Sequence, residues 1–416
     1  MRPECKPRAR ILDSVAADEV VAELYARGAD AEAVRAIVAR GMARAMLVGP
    51  LKLEDAQALR KAAAEAGGLA VMTRPAGRQD PGRADVVVMA PTEKLSAVAD
   101  GLGGETGERM RAAMAGFFAP VQRVLRCRGR DLALGAKTLV MGIINVTPDS
   151  FSGDGLGGNT AAAIAQGTQM VADGADILDV GGESTRPGAD PVSIEDEIAR
   201  VLPVIGGLTR EVDVPISIDT YKCSVAAAAL AKGASIVNDI SGLRFDTNMA
   251  NAAAEAGAAV IAMHIRGTPR DMQKDPKYDD VIGEISEYLE ESIALAEAAG
   301  LTRDRIVVDP GFGFGKTLEH NLELLRRLRE FRSLGCAVMI GTSRKSSIGK
   351  LLGDAPADER IMGTAATVAL AIAAGADIVR VHDVKEMVQV ARVADAVVRV
   401  QHEPPAGSEH KWAHQR

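Results

Sequence analysis

The chain has 416 residues, a formal net charge of −7, 47% hydrophobic residues and only 3% aromatic ones. That length can bury one large core, or a large and a smaller one, and the apolar content excludes disorder along the whole chain. The mildly acidic balance and the scarcity of aromatic rings argue against a general nucleic-acid binder. Cys5, Cys127, Cys223 and Cys336 form no C-x-x-C pair, which argues against a disulfide framework or a structural zinc site. Cys223 reads as a small buried packing residue. The basic start MRPECKPRAR is not followed by an apolar core, and the most apolar stretch, 365–376, is too short to span a bilayer. A cytoplasmic protein with no membrane partner is expected.

In chain order, RAMLVG from Arg44, a helix over 53–66, LAVMTR from Leu69 and ADVVVMA from Ala84 predict a small α/β unit. The Pro, Gly and charges of RPAGRQDPGRAD, from Arg74, predict a loop. A helix over 105–118 follows, then VQRVLRCRGRDLALGAKTLV from Val121, which reads as a hairpin entering a strand. A boundary near Pro120 gives an N-terminal α/β accessory domain over 1–120, a second domain over 121–400 and a polar tail over 401–416. His410 and His414 have helical spacing, but in that tail they read as a disordered end.

From Met141 one unit repeats: a short apolar run, a polar or glycine-rich end, then a helical pattern. The runs are MGIINV, ADILDVGG, PISIDT, SIVNDI, AVIAMH, IVVDPG, AVMIGTS and DIVRVHD. They do not alternate with polar residues, which is how strands buried on both faces read. The stripe Leu318, Leu322, Leu325 and Leu328 predicts one of the helices. Asp383 with Glu386 predicts a capping box on another. Eight such units in sequence predict an α/β fold, a (β/α)8 TIM barrel preceded by the small α/β domain, over an open doubly wound sheet.

Barrel active sites lie at the C-terminal ends of the strands. These ends deliver Asn145, Asp179, Asp219, Asn238 with Asp239, Met263 with His264, Asp309, Gly341 with Ser343, Arg344 and Lys345, and Arg380 with His382. One such Asp or Asn is as well explained by capping of the next helix. A whole ring of them is not, because buried polar groups cost free energy unless paired. Asp219, Asn238 and Asp309 suit the edge of a flat heterocycle carrying donors and acceptors. Arg186, Lys345, Arg380 and His382 suit an anion such as phosphate. GDGLGG from Gly153 matches G-x-G-x-x-G, but 147–152 separate it from the strand, so a dinucleotide turn is not expected. DPGFGFGKT from Asp309 falls short of a P-loop because Pro310 stands where the first glycine belongs. GGESTRPGA from Gly181 predicts an active-site loop with Arg186 near its tip.

The motifs MGIINVTPDSFS, ILDVGGESTRPGA, ISIDTYK, IVNDISGL, MHIRGTPRDMQ, VVDPGFGFGKTLEHN, GTSRKSSIG and IVRVHDV stand in order. Together they resemble dihydropteroate synthase along about residues 123–400. The resemblance implies a folate-pathway transferase that joins 6-hydroxymethyl-7,8-dihydropterin diphosphate to 4-aminobenzoate with release of pyrophosphate, uses Mg2+, is inhibited by sulfonamides and forms a homodimer. It implies that Asp219, Asn238 and Asp309 bind the pterin edge, Lys345 its oxygen and nitrogen, Met263 the face beneath it, and Arg380 stacks on the ring. Thr185, Arg186, Arg380 and His382 would contact the diphosphate, and Asn145 the Mg2+. Ser346 and the helix start after it would seat the aminobenzoate carboxylate, with Phe151, Pro187, Phe314 and Lys345 as walls. Asp219, Asp309, Lys345 and Arg380 would carry the catalysis. The first loop, DSFSGDGLGG, departs from the family's DSFSDGG, and Asp154 stands as the shifted acid. A pterin-binding methyltransferase of the same barrel family, or a non-catalytic pterin-binding paralogue, are the alternatives. The N-terminal region lacks acidic motifs resembling the pyrophosphokinase sometimes fused upstream.

Overall fold

The computed structural model describes residues 43–73, 82–118, 123–147, 159–186 and 188–399. The tail 401–416 and Asp154 lie outside them. The described chain divides into two compact units, one ending at Arg111 and the other spanning Ala112–Arg399.

In the first unit β1 (Ala43–Lys52), α1 (Leu53–Glu65), β2 (Leu69–Thr73), β3 (Arg83–Pro91) and α2 (Thr92–Leu102) lead into α3 (Gly104–Phe117), which carries the division. The sheet order is β1-β3-β2, antiparallel throughout. On β3 the period-two pattern buries Ala84, Val86, Val88 and Ala90. Their partners are the apolar stripes of α1 (Ala56, Leu59, Ala63) and α2 (Leu95, Val98, Ala99). α2 was not among the helices expected from sequence.

The second unit begins with the hairpin β4 (Arg123–Leu125) and β5 (Leu132–Leu134). The repeat follows: β6 (Leu139–Asn145), α4 (Thr160–Ala172), β7 (Ile177–Gly181), α5 (Ile194–Glu211), β8 (Ile216–Asp219), α6 (Cys223–Lys232), β9 (Ile236–Asp239) and α7 (Met249–Glu255). It continues with β10 (Ala259–Met263), α8 (Val281–Ala298), β11 (Ile306–Asp309), α9 (Leu318–Arg326), β12 (Ala337–Ile340), α10 (Ser346–Leu351), α11 (Ile361–Ala373), β13 (Ile378–Val381) and α12 (Val384–Val398). Strands β6 to β13 pair in parallel and β13 pairs back to β6, closing the expected barrel.

Strand parity sorts the side chains. Val140, Leu178, Val237, Val260, Val308 and Val379 join the layer between strands and helices, while Leu139, Ile177, Ile236, Ile261, Val307, Met339 and Ile378 fill the barrel's lower interior. Two residues further along β7 and β9 to β13 the inward position becomes Asp179, Asn238, Met263, Asp309, Gly341 and Arg380 in turn. The hairpin seals the lower end with Leu125, Cys127 and Leu134, and its arginines reach the surrounding backbone. Arg128 donates to Leu230 O (2.6 Å), Arg130 to Val214 O (2.9 Å), and Arg123 to both oxygens of Asp377 (2.8 and 3.0 Å).

Three local expectations fail for physical reasons. The leucine stripe is cut because α9 stops at Arg326 and a 3-10 turn takes over at Leu328; Asn321, Leu324 and Leu325 form the buried face of the helix. Asp383 makes no cap bond, because its carboxylate is taken by Arg344 Nε (3.0 Å) and Nη2 (2.5 Å). Cys223 is half-exposed as the first residue of α6, where its N–H donates to Asp246.

Asp377 is 2% exposed and also accepts the Val338 N–H at 2.9 Å. Asp377→Ala strands both the Arg123 guanidinium and this N–H, so a stability loss of about 3 kcal/mol is expected, read as a lower urea midpoint with unchanged slope. An unaltered midpoint would show that the hairpin does not clamp the barrel.

Candidate active site

Arg380 arrives at the barrel mouth because β13 alternates: Ile378 points into the interior below it, while Val379 and Val381 point out to the helices. Its Nε donates to Asp179 Oδ2 at 2.6 Å and its Nη2 to Asp219 Oδ2 at 2.7 Å. Two bonds from different edges of the fork fix the plane of the guanidinium. Asn238 Nδ2 donates to the same Asp179 oxygen at 3.0 Å. Asp179, on β7, is fully buried. In the sequence it is one strand-end acid among several; its partners lie far off in the chain, where spacing gives no signal.

Asp309 ends β11 and accepts the Gly311 N–H at 2.8 Å, which turns the chain tightly. Gly311 has φ +70°, and a Cβ there would lie 1.9 Å from the His264 carbonyl oxygen, so only glycine fits. The loop then places Phe314 beneath Lys345, whose Nζ sits 4.0 Å from the ring centre. Lys316 turns away from the mouth. Its buried Nζ contacts His264 Nδ1 and donates to the carbonyls of Gly311 and Phe314, so it holds the loop instead of cradling a phosphate.

Thr185, Asp219, Asn238, Met263, Asp309, Phe314, Lys345 and Arg380, all expected from sequence, line one pocket with Ile240, Phe312 and Gly341. Ile240 and Phe312 were missed, since apolar residues just past strand ends carry no distinctive signal. Arg186, His382, Asn145 and Ser346 stand outside that lining. Arg186 is near enough to Lys345 to disfavour its charge. His382 Nδ1 shares a 3.0 Å hydrogen bond with Ser343 Oγ. Asn145 ends β6 opposite Gly181, and its amide has no side-chain partner among the described residues. Ser346 is exposed at the start of α10. Phe151 and Pro187 lie outside the described residues.

The mouth therefore concentrates charge in little water. Burial pushes the Asp219 carboxyl up to about 7 against the pull of Arg380, and raises Asp309 against the Gly311 N–H bond. Burial, with repulsion from Arg380, brings Lys345 down to about 8. Arg380 stays charged, because Asp179 and Asp219 outweigh its desolvation. A slot of this kind, acceptors along one edge, a lysine at the rim and a flat guanidinium beside apolar walls, suits a planar polar ring.

A family model for pterin binding enzymes matches residues 141–382, a span that holds every site residue expected from sequence. The chain belongs to the dihydropteroate synthase family of pterin binding enzymes. The Synechocystis dihydropteroate synthase is 49% identical over 265 residues, 64% of this chain and 92% of that protein. The Xanthomonas albilineans dihydropteroate synthase solved with 4-aminobenzoic acid is 43% identical, with TM-score 0.62, over 67% of this chain and 100% of that one. The same bacterium's enzyme in complex with 7,8-dihydropteroate is 38% identical, with TM-score 0.59, over 67% and 99%. The family's common length is thus nearly all present here, and this chain extends beyond it.

Two of the shifted groups, Asp219 and Lys345, set a pH window. Asp219 is a carboxylate only above about 7, and Lys345 an ammonium only below about 8. Accordingly kcat/KM should rise towards the first value and fall beyond the second, and Lys345→Arg should abolish the alkaline fall because a guanidinium keeps its proton. A profile flat through this window would contradict the assignment.

Proposed function

We propose that the barrel condenses 6-hydroxymethyl-7,8-dihydropterin diphosphate with 4-aminobenzoate to give 7,8-dihydropteroate and pyrophosphate. The observation that carries this is the single pocket combining Asp219, Asn238 and Asp309 with Lys345 and Arg380, in a chain of this family. Asp219 and Asp309 accept the N–H groups of the aminopyrimidine edge, Asn238 both donates and accepts, and Lys345 donates to the ring's oxygen and nitrogen. Met263 supports the ring from below and Arg380 covers it. Asp219, Asp309, Lys345 and Arg380 are the catalytic residues.

Beyond the ring, Thr185, Arg186, Arg380 and His382 meet the diphosphate. The amide oxygen of Asn145, without a side-chain partner among the described residues, is a hard neutral donor fit for Mg2+, and among the same residues no cluster of three His, Cys, Asp or Glu competes for a metal. Bound there with the diphosphate oxygens, Mg2+ would neutralise charge on the leaving group. The bond from the pterin methylene carbon to the diphosphate oxygen breaks, and the aminobenzoate nitrogen takes its place and loses a proton. The carboxylates of Asp219 and Asp309 favour the positive charge that develops on the ring system as the diphosphate leaves. Ser346 at the start of α10, with Phe151, Pro187, Phe314 and Lys345, forms the aminobenzoate site, where sulfonamides compete.

The protein acts as a cytoplasmic homodimer, with the 1–120 region as an accessory or oligomerisation domain. Among the described residues no helix is long and apolar enough to cross a membrane. The exposed Met362 and Leu370 of α11 and Val393 and Val397 of α12, two helices in mutual contact, support a second copy as the partner.

Mixing the two substrates with Mg2+ should release pyrophosphate. Asp219→Ala and Lys345→Ala should each slow release about a hundredfold or more. No release from folded wild-type protein would reject the proposal.

A further inference from the structure

The segment from Glu183 to Val192 follows β7 and carries Thr185 and Arg186, and Tyr221 and Lys222, just past the end of β8, reach its two ends. Glu183 Oε2 accepts the Val192 N–H at 3.0 Å, so the first and last residues of the loop are tied directly. Lys222 Nζ lies in the same knot. It donates to Glu183 Oε2 (2.5 Å), to the Val192 carbonyl (2.6 Å) and to Glu197 Oε2 on α5 (2.6 Å), which uses all three of its protons. Tyr221 OH donates to the remaining Glu183 oxygen at 2.5 Å. The side chains of Lys222, Glu183 and Glu197 are 14%, 7% and 1% exposed.

A three-proton ammonium held by two carboxylates and a carbonyl is a directional joint, and little water reaches it. A loop whose only task was to connect β7 to α5 would not need it, since buried charges are costly unless fully paired. The joint also sits three residues after Asp219 on the same strand end, so one element both lines the pocket and sets the loop. Burial works against the Lys222 charge, but its carboxylate partners more than restore it, and the ammonium persists at neutral pH.

We propose that Lys222, clasping Glu183, Val192 and Glu197, is a positioning residue that fixes the loop so that Thr185 and Arg186 face the diphosphate, and that it contributes to recognition of the diphosphate and not of the pterin ring. This rests on the reading of Thr185 and Arg186 as diphosphate contacts given above.

The test compares two ligands on the full-length protein: the pterin diphosphate, and 6-hydroxymethylpterin, which lacks the diphosphate. Lys222→Met should weaken binding of the first, and raise its KM, by about tenfold or more, while the second binds within about twofold of wild type. Glu183→Gln keeps an acceptor for Val192 but loses the ion pair, and should show the same selective loss in smaller degree; it also serves if Lys222→Met does not fold. Equal weakening of both ligands would reduce the clasp to general stability and overturn the proposal, as would no weakening of either. Arg186→Ala separates the premise from the inference. Selective loss in Arg186→Ala but not in the clasp variants rejects the clasp alone, and no selective loss in Arg186→Ala rejects the reading of the loop on which it rests.

Discussion

A single buried arginine holds the barrel mouth in one arrangement. Arg380 spans from β13 to Asp179 on β7 and Asp219 on β8, and Asp179 passes the constraint on to Asn238 of β9. β13 pairs with none of these three strands in the barrel wall, so one guanidinium ties together what the backbone ladder leaves apart. Such a cluster adds little net stability, because desolvating three charges offsets most of their attraction. Its effect is geometric: the plane of the guanidinium and the orientation of the Asn238 amide are fixed before any ligand arrives, so the cost of ordering them falls on folding and not on binding.

The placement of that cluster follows from the barrel. Inward positions recur every second residue, so an apolar layer (Ile177, Ile236, Val307, Ile378) lies under a polar one (Asp179, Asn238, Asp309, Arg380). The lower layer, closed by the β4–β5 hairpin and its arginines, supplies the packing that keeps the upper layer in register. The same crowding that unites the polar residues displaces their protonation equilibria: Asp219 is raised and Lys345 lowered by burial until they titrate close together. On the proposed assignment, the binding of the pterin ring and the expected pH dependence have one physical origin.

Much of this was legible in the sequence, for identifiable reasons. Strands buried on both faces read as unbroken apolar runs, and a polar residue at the end of each is conspicuous against them. What stayed hidden depended on contacts between residues distant along the chain. Asp383 and Glu386 have capping-box spacing, yet Arg344, 39 positions away, takes the carboxylate. Asp179 looked like any strand-end acid, because its bond to Arg380 crosses 201 positions. Lys316 sits in a glycine-rich motif that invites a phosphate, but its Nζ donates to the carbonyls of its own loop. Lys222 followed Asp219 in plain view, and only the fold brings Glu183, Val192 and Glu197 around it.

Preorganisation of the proposed pterin pocket by Arg380 held on Asp179 is tested by the affinity of Asp179→Asn for 6-hydroxymethylpterin, measured by calorimetry beside a thermal melt. The substitution keeps the side chain's shape but removes the charge that anchors the guanidinium and weakens the acceptor that orients Asn238. The expected result is a folded protein whose affinity is about tenfold or more weaker, a difference of roughly 1.4 kcal/mol. Wild-type affinity in a folded Asp179→Asn protein would contradict it.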